Sequence, residues 1–553
     1  MGQIFIKSIV FIGMLSILYS CNEKKNETKQ HINKLTILSN EQATSGWYNF
    51  PLRIELDSGN ILIAKDEVKE AEYYTSNRNY TNYGQKVLLE NHLLDKAKLS
   101  TNSEIMSSHL LNRQDVKEWE IPKIIDLKIG IPVFFKDPKN GELDKRIFFN
   151  RSKKIHNNLM SISLVVDPND LFNYKTGIYT QGINKDINNP KKGNYSLRGK
   201  DWERAATTQI FSEQEQLLYE SEVGIRIHGN LSRAQPQKSF TIIVKNRFNS
   251  KIAKLNLFGE EKRIHRMILR TPFTSSMQGQ SILMDSYISK IALKLNLDAM
   301  GSTPCNLYLN GEYWGLYHLR EKTDQYYLKE KYEITKKSIT IIEIDLKTKD
   351  HYKTCYGEKS EWDSLISYLN MHDISESEHY NYISKKVAIN NLIDYLIVST
   401  FFANKDWPGN NFKFWKSEEL DNKWRFIIHD MDACFRNDNM FKYLLKENQL
   451  SGNNISVSTL LFSELFKNKL FLNKFNERYL ELKEGALEPN FLLKELNLLA
   501  NNIAPSIVSQ SERWHMPESE ELWLKKIKKM RKYIKKRHSI YQKHLNELLK
   551  GQM

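Results

Sequence analysis

The sequence predicts an α+β protein made of a small β-sandwich followed by a larger two-part domain. Three observations carry this. At 553 residues the chain is too long for one compact core. Short β-branched runs bounded by Gly, Asn, Asp and Pro dominate its first part. Apolar residues at helical spacing dominate its last part. Apolar content of 40% with 11% aromatics excludes a disordered chain.

The first segment, MGQIFIKSIVFIGMLSILYSC, has Lys7 and then an apolar run from Ile9 to Leu18. That run is too short to span a bilayer and reads as the core of a signal peptide over residues 1–20. Leu18-Tyr19-Ser20-Cys21 resembles a bacterial lipobox, which implies cleavage before Cys21 and a lipid on its thiol. A plain cleaved signal or a free cysteine is the competing reading. Residues 21–34 are polar and charged, a tether from the lipid to the first domain. No other segment reaches 18 apolar residues, so the expectation is a protein anchored to a membrane rather than crossing it. The expected location is the bacterial cell envelope, at the outer membrane, facing periplasm or exterior. The remaining cysteines, Cys305, Cys355 and Cys434, contain no CxxC pair, which argues against a zinc knuckle or redox motif. One disulfide among them is allowed, with no pairing indicated.

Residues 35–155 carry LRIEL, NILIA and IPVFF as strands, with turns at Asp57-Ser58-Gly59 and Lys139-Asn140-Gly141. The larger domain spans 156–550. SISLVVD, VGIRIHGN, KSFTIIVK and MILRT are its first strands. SILMDSYISKIALKLNL has helical spacing and a stop at Asn296. PCNLYLNGEYWGLYHLRE is a hairpin turning at Asn310-Gly311. SEHYNYISKKVAINNLIDYLIVSTFFA reads as one long helix, and NFKFWKS with KWRFIIHD as a second hairpin. Amphipathic helices follow residue 450. The last, rich in Lys and Arg, reads as a helix packing its apolar stripe on the domain; contact with anionic lipid or nucleic acid is the alternative.

Three constellations point to chemistry. Asp406, then Asn411 five residues on, a hairpin, and Asp430 with Asp432 supply carboxylate and amide oxygens, the donors Mg²⁺ prefers beside substrate phosphates. Protein kinases place an Asp, an Asn five residues later and a second Asp after a hairpin in this order. An ordinary Asp/Asn/Gly/Pro turn is the competing reading. In GIRIHGNLSRAQPQKSF, Gly229 lets backbone N–H groups approach an anion, and Arg233 and Lys238 can neutralise it; a surface turn is the alternative. Glu321 ends the NG hairpin, where it could receive a nucleotide or simply cap a helix.

The blocks NPKKGNYSLRGKDWERAATTQIF, VGIRIHGNLSRAQPQKSF, YLNGEYWGLYHLREKTDQYYL, NKDWPGNNFKFW and KWRFIIHDMDACF together resemble the CotH kinase family, the spore-coat-protein-H-like proteins, from about Ile162 to Phe435 and more loosely into the C-terminal helices. The β region upstream is similar to the chitobiase-type or immunoglobulin-like sandwiches that precede such domains. The resemblance implies a divergent bilobal protein-kinase-like fold that uses ATP with Mg²⁺ or Mn²⁺ and phosphorylates Ser or Thr of proteins. It implies Asp406 as the catalytic-loop aspartate and Asn411 as a metal-binding asparagine, with Asn410 as substitute if the loop is offset. It implies Asp430, with Asp432 beside it, as metal ligands, and Lys238 as the phosphate-pairing lysine. Arg233 becomes a phosphate contact, and Asp285 the acid that orients Lys238.

Several features depart from ordinary kinases. Asn404-Lys405-Asp406 stands for His-Arg-Asp, His429-Asp430-Met431-Asp432 for Asp-Phe-Gly, and no GxGxxG is present. These leave the nucleotide pose, and the choice between Asp430 and Asp432, open. An inactive kinase-like surface scaffold, a nucleotidyl transferase on the same fold and a carbohydrate-binding surface protein are the rival readings. The net charge of +15 favours anionic partners, or reflects a Lys- and Asn-rich proteome. The expected partners are an exported or surface protein bearing Ser or Thr, and the membrane through the lipid anchor; nucleic acid is not expected.

Overall fold

The structure is a computed structural model that describes residues 36–39, 41–68, 76–89, 127–155, 158–189, 191–271, 281–344, 352–445 and 457–551. The signal peptide, Cys21 and the tether lie outside the described residues.

Eight strands come first: β1 (Thr36–Leu38), β2 (Gly46–Tyr48), β3 (Leu52–Glu55), β4 (Asn60–Val68), β5 (Ser76–Asn82), β6 (Lys86–Leu89), β7 (Gly130–Lys136) and β8 (Leu143–Asn150). They form two sheets, β1-β3-β6 and β2-β8-β7-β4-β5, which share one core. Leu52 and Ile54 alternate inward against Arg53 and Glu55, the period-two pattern of a half-buried strand. In β7 the run IPVFF is apolar throughout because both faces are covered. Ile131, Val133 and Phe135 face the small sheet, and Phe134 packs with Phe211, Tyr308 and Tyr313 of the next domain.

That next domain opens with β9 (Met160–Val166), helix α1 (Pro168–Phe172), β10 (Arg204–Phe211), β11 (Leu217–Ile227) and β12 (Phe240–Ile243). A small hairpin follows, β13 (Lys254–Asn256) with β14 (Glu261–Arg263), then β15 (Arg266–Arg270), α2 (Met284–Lys294), β16 (Asp298–Ala299), β17 (Ser302–Leu309) and β18 (Glu312–Glu321). Seven of these strands close a barrel in the order β10-β11-β12-β15-β18-β17-β9. Asn310 and Gly311 turn the β17–β18 hairpin with φ of 52° and 80°, the left-handed pair such a turn requires. A Cβ on Gly311 would lie 2.1 Å from the Gly130 carbonyl oxygen, so this glycine also admits the first domain, whose Ile129 and Gly130 N–H groups donate to the Gly311 carbonyl.

The second lobe comprises α3 (Gln325–Tyr332), β19 (Ile339–Ile344), β20 (Tyr352–Tyr356), α4 (Ser360–Met371), α5 (Ser377–Lys386), α6 (Ile389–Phe401), β21 (Lys413–Ser417), β22 (Arg425–Ile428), α7 (Met440–Leu445), α8 (Val457–Lys467), α9 (Lys469–Glu484), α10 (Pro489–Trp514) and α11 (Glu520–Gly551). Its sheet runs β16-β22-β21-β19-β20. The single long helix expected before residue 401 is instead two. Val387 and Ala388 leave the helix so that the Lys386 carbonyl and Ala388 N–H bond the backbone of Trp424, stitching the break to the hairpin. Asn296, at φ 58°, follows the end of α2. Helix α11 buries Trp523, Ile527, Met530, Ile534, Tyr541, Leu545 and Leu548. Cys305, Cys355 and Cys434 are free thiols. Among the described residues no helix is long and apolar enough to cross a membrane.

Candidate active site between the barrel and the second lobe

Residue parity decides what faces the cleft. Cross-strand pairing sets Arg226 opposite Thr241, Thr241 opposite Ile268, Ile268 opposite Arg320, and Arg270 opposite His318. These residues therefore share the outer face of the barrel, joined at two-residue steps by His228, Arg266 and Lys322. The alternate residues Ile225, Ile227, Phe240, Ile242, Met267, Leu269, Tyr317 and Leu319 fill the interior. Seven basic side chains thus stand on one face of four adjacent strands. The sequence signal is basic residues at period two in RIH, RMILR and HLREK.

Opposite this face lies an acidic group. Arg270 donates to Asp430 Oδ1 at 2.5 Å and to Asp432, and its guanidinium is 3.9 Å from Asp285 Oδ2. Asp285, on α2, also accepts from Arg320 and from the Met431 backbone N–H at 2.9 Å. The acid expected to orient Lys238 is therefore partnered by Arg270 and Arg320. Burial pushes the Asp285 carboxyl up, but Arg320, Arg270 and the Met431 N–H outweigh it and hold the group well below the ordinary carboxylate range. Burial pushes both Asp430 and Asp432 upward. Arg270 more than offsets this for Asp430, which stays low, whereas Asp432, facing Asp430 and Asp285 as well, is held high. Of the two, Asp430 is the stronger acid and the better resident anion.

The loop after α6 is fastened to this group. The Lys405 N–H donates to the Ala433 carbonyl at 3.2 Å, Asn411 Nδ2 to the Asp430 carbonyl at 3.2 Å, and the Phe435 N–H to the Phe402 carbonyl at 2.8 Å. Asn404 accepts from the Asp406 N–H at 3.2 Å. Asp406 is exposed at the mouth, and partial burial together with the Asp430 carboxylate raises its pKa. Four non-glycine residues in these two segments, Ala403, Asn411, Asp430 and Phe435, have φ between 51° and 62°. Strained backbone of this kind persists only where its surroundings fix it, and it concentrates at working sites. Asn410 is exposed beside them, its N–H bonded to the Asp406 carbonyl.

The remaining sequence candidates stand elsewhere. Lys238 shares the parity of Phe240 and points into the barrel. Its ammonium donates to the Arg233 and Gln235 carbonyls at 2.7 and 2.8 Å and lies 4.1 Å over the Tyr195 ring. Burial and Arg233 drive its pKa well down. Arg233 spends its guanidinium on the carbonyls of Tyr195, Leu197, Ile227 and Gly229. Gly229, at φ 104°, closes this loop, where a Cβ would meet Ser232 Oγ at 2.2 Å. Lys238 and Arg233 thus bind their own loop. Glu321, one residue out of phase with Arg320 and Lys322, turns to Lys262 at 3.4 Å.

Other basic residues stand close to the acidic group in their place. Burial lowers Lys322 to about 8, with Arg266, Arg226 and Lys413 adding to the effect against Asp324. Lys413 donates to the Thr323 carbonyl at 2.6 Å. His228 and His429 are both depressed by burial and by neighbouring cations, and His429 Nδ1 is buried without a hydrogen-bond partner. Glycine-loop reasoning misses this set because its members come from separate elements: His228, Lys322 and His429 just past the ends of β11, β18 and β22, and Lys413 at the start of β21.

The donors around Asp430 are carboxylate and amide oxygens, the set that suits Mg²⁺ or Mn²⁺. The space between Asp430 and Asp432 already accepts a cation, the Arg270 guanidinium. Among the described residues no three His, Cys, Asp or Glu side chains converge as a self-sufficient metal site. A divalent ion here would thus take Asp430, Asp432 and Asn411 together with oxygens from a ligand.

No curated protein matches the chain. One solved structure, of a proinflammatory kinase from Helicobacter pylori, is similar at 11% identity over 53% of this chain and 95% of that one, with a TM-score of 0.26. At that TM-score the likeness carries no weight for fold or function. Residues 225–541 match the CotH kinase protein family. The match takes in the end of β11, the basic face of the barrel, the Asp406 loop, the Asp430 group and most of α11, and leaves the NPKKGNYSLRGKDWERAATTQIF block upstream of it. Covering more than half of the chain, it shows that this α+β protein belongs to the CotH kinase family.

Proposed function

We propose that the chain transfers the γ-phosphoryl group of ATP to a Ser or Thr hydroxyl of an exported protein, with Mg²⁺ or Mn²⁺. The observation that carries this reading is the fastening of the Asp406 loop to the Asp430 segment. It sets an exposed carboxylate beside a half-buried acidic group that faces a cationic sheet. Asp406 accepts the acceptor's hydroxyl proton as that oxygen bonds to the γ-phosphorus and the bond to the β-phosphate oxygen breaks, releasing ADP. Asp430, Asp432 and Asn411 supply oxygens for the divalent ion, which when bound offsets charge on the phosphate oxygens. Arg270 and Lys322, with Lys413 behind them, would supply positive charge toward the phosphates. The contribution of the chain is then positioning and electrostatics, as phosphoryl transfer requires. Leu18–Cys21 supports attachment to the cell envelope through a lipid, which brings the site to exported acceptors.

The test follows label from γ-³²P-ATP and, separately, α-³²P-ATP into a Ser/Thr-rich acceptor with Mg²⁺ or Mn²⁺. Acid-stable label from the γ position on Ser or Thr is expected. Label from the α position would make the protein a nucleotidyl transferase, and intact nucleotide binding with no label at all would make it an inactive scaffold.

A further inference from the structure

Arg270 has more to do than neutralise charge. Its guanidinium meets three carboxylates at once, Asp285, Asp430 and Asp432, from a strand whose neighbours hold it rigidly in the sheet. Arg320, almost fully buried, pairs with Asp285 and also donates to Ser289 Oγ and the Met300 carbonyl. With all three carboxylates ionised, as metal binding requires of Asp432, they and the two guanidiniums leave the cluster one negative charge. A divalent cation added to that arrangement would leave it one positive charge, confined in a half-buried cleft that already holds Lys322, Lys413 and two histidines. Phosphate oxygens arriving with the cation cancel that excess and give the guanidinium a new bidentate partner.

We infer that Arg270 is the residue that makes metal binding depend on nucleotide, by occupying Asp430 and Asp432 until phosphate oxygens draw its guanidinium away. This rests on the nucleotide reading of the site. Arg270 is a positioning residue on the resting protein and a phosphate contact on the loaded one. Asp285 is the hinge of the exchange. It remains in contact with Arg320 and the Met431 N–H whichever partner Arg270 takes, so the acidic segment keeps its place.

The test measures Mn²⁺ binding to the full chain, by loss of the free-ion electron paramagnetic resonance signal, with and without ADP. Wild type should bind Mn²⁺ weakly alone and about tenfold or more tightly with ADP, within the usual range of coupling between sites. Arg270→Gln frees both carboxylates, so Mn²⁺ alone should bind more tightly than to wild type and ADP should add little. Arg270→Lys keeps the charge but loses the fork, so it should fall between the two. It carries the test if the glutamine variant does not fold, as judged by near-ultraviolet circular dichroism. Wild type that binds Mn²⁺ equally with and without ADP would overturn the inference. So would variants that bind Mn²⁺ alone no better than wild type while ADP still binds. Folded wild type that binds neither Mn²⁺ nor ADP would instead remove the nucleotide reading beneath it.

Discussion

Glu312 and Arg513 tie the two lobes together, and cutting that tie should be costly. Glu312 opens β18 of the barrel, and Arg513 sits in the last turn of α10. Their side chains are 1% and 0% exposed and meet at 3.0 Å. Charge centres about 4 Å apart at an effective dielectric of about 20 attract by about 4 kcal/mol. Removing one partner of a buried pair typically costs about 3–5 kcal/mol, because the other charge stays in a dry site. Arg513 also lies 4.8 Å from the Trp314 ring and 4.6 Å from the Trp514 ring, contacts that survive the change. They offset about 1 kcal/mol, so Glu312→Gln should lose about 3 kcal/mol. Urea unfolding followed by tryptophan emission is the assay, since both rings flank the lesion. The double variant Glu312→Gln with Arg513→Met should recover part of the loss, because the Arg513 charge is no longer left in a dry site. A single-variant loss below about 1 kcal/mol, or a double variant no better than the single, would refute the reasoning.

Other outcomes follow from the same geometry. Gly311→Ala forces a Cβ against the Gly130 carbonyl at a φ of 80°, so it should lower stability by about 1–3 kcal/mol and expose the joint between the domains to protease. Lys238→Met should change stability but leave the ADP dissociation constant within about twofold, whereas Arg270→Gln should weaken ADP binding in the presence of metal by about tenfold, both read by calorimetry. If Asp406 is the base, as proposed, it works only when ionised, and partial burial with Asp430 raises its pKa. Transfer should therefore fall as pH drops through a value above that of an ordinary aspartate, read as a kcat profile under saturating conditions.

Much of the site is legible in sequence because it is local. Asp406 and Asn411 share one loop, Asp430 and Asp432 share another, and a hairpin with strong strand signals joins them. The turn at Asn310-Gly311 is equally local, since only left-handed backbone closes it. What escapes is decided by parity and partners across strands. Lys238 reads as the phosphate lysine because it follows a glycine-containing loop, yet one position of strand phase turns it into the barrel. Arg270 carries no motif, and only the closure of β12, β15 and β18 into one sheet lines it up with His228, Arg320 and Lys322. Asp285 is placed correctly on its helix by periodicity, but its partner lies on another strand. The break at Val387 is likewise invisible to helical spacing, because its cause is a backbone bond to Trp424.

The most direct measurement is single-turnover phosphoryl transfer by Asp406→Asn beside wild type, with ADP affinity measured on the same samples. The account predicts a rate lower by about 10²–10⁴ with unchanged nucleotide affinity, since Asp406 acts on the acceptor's proton and not on the nucleotide. Transfer at the wild-type rate would contradict it and leave the fastened loop a structural turn.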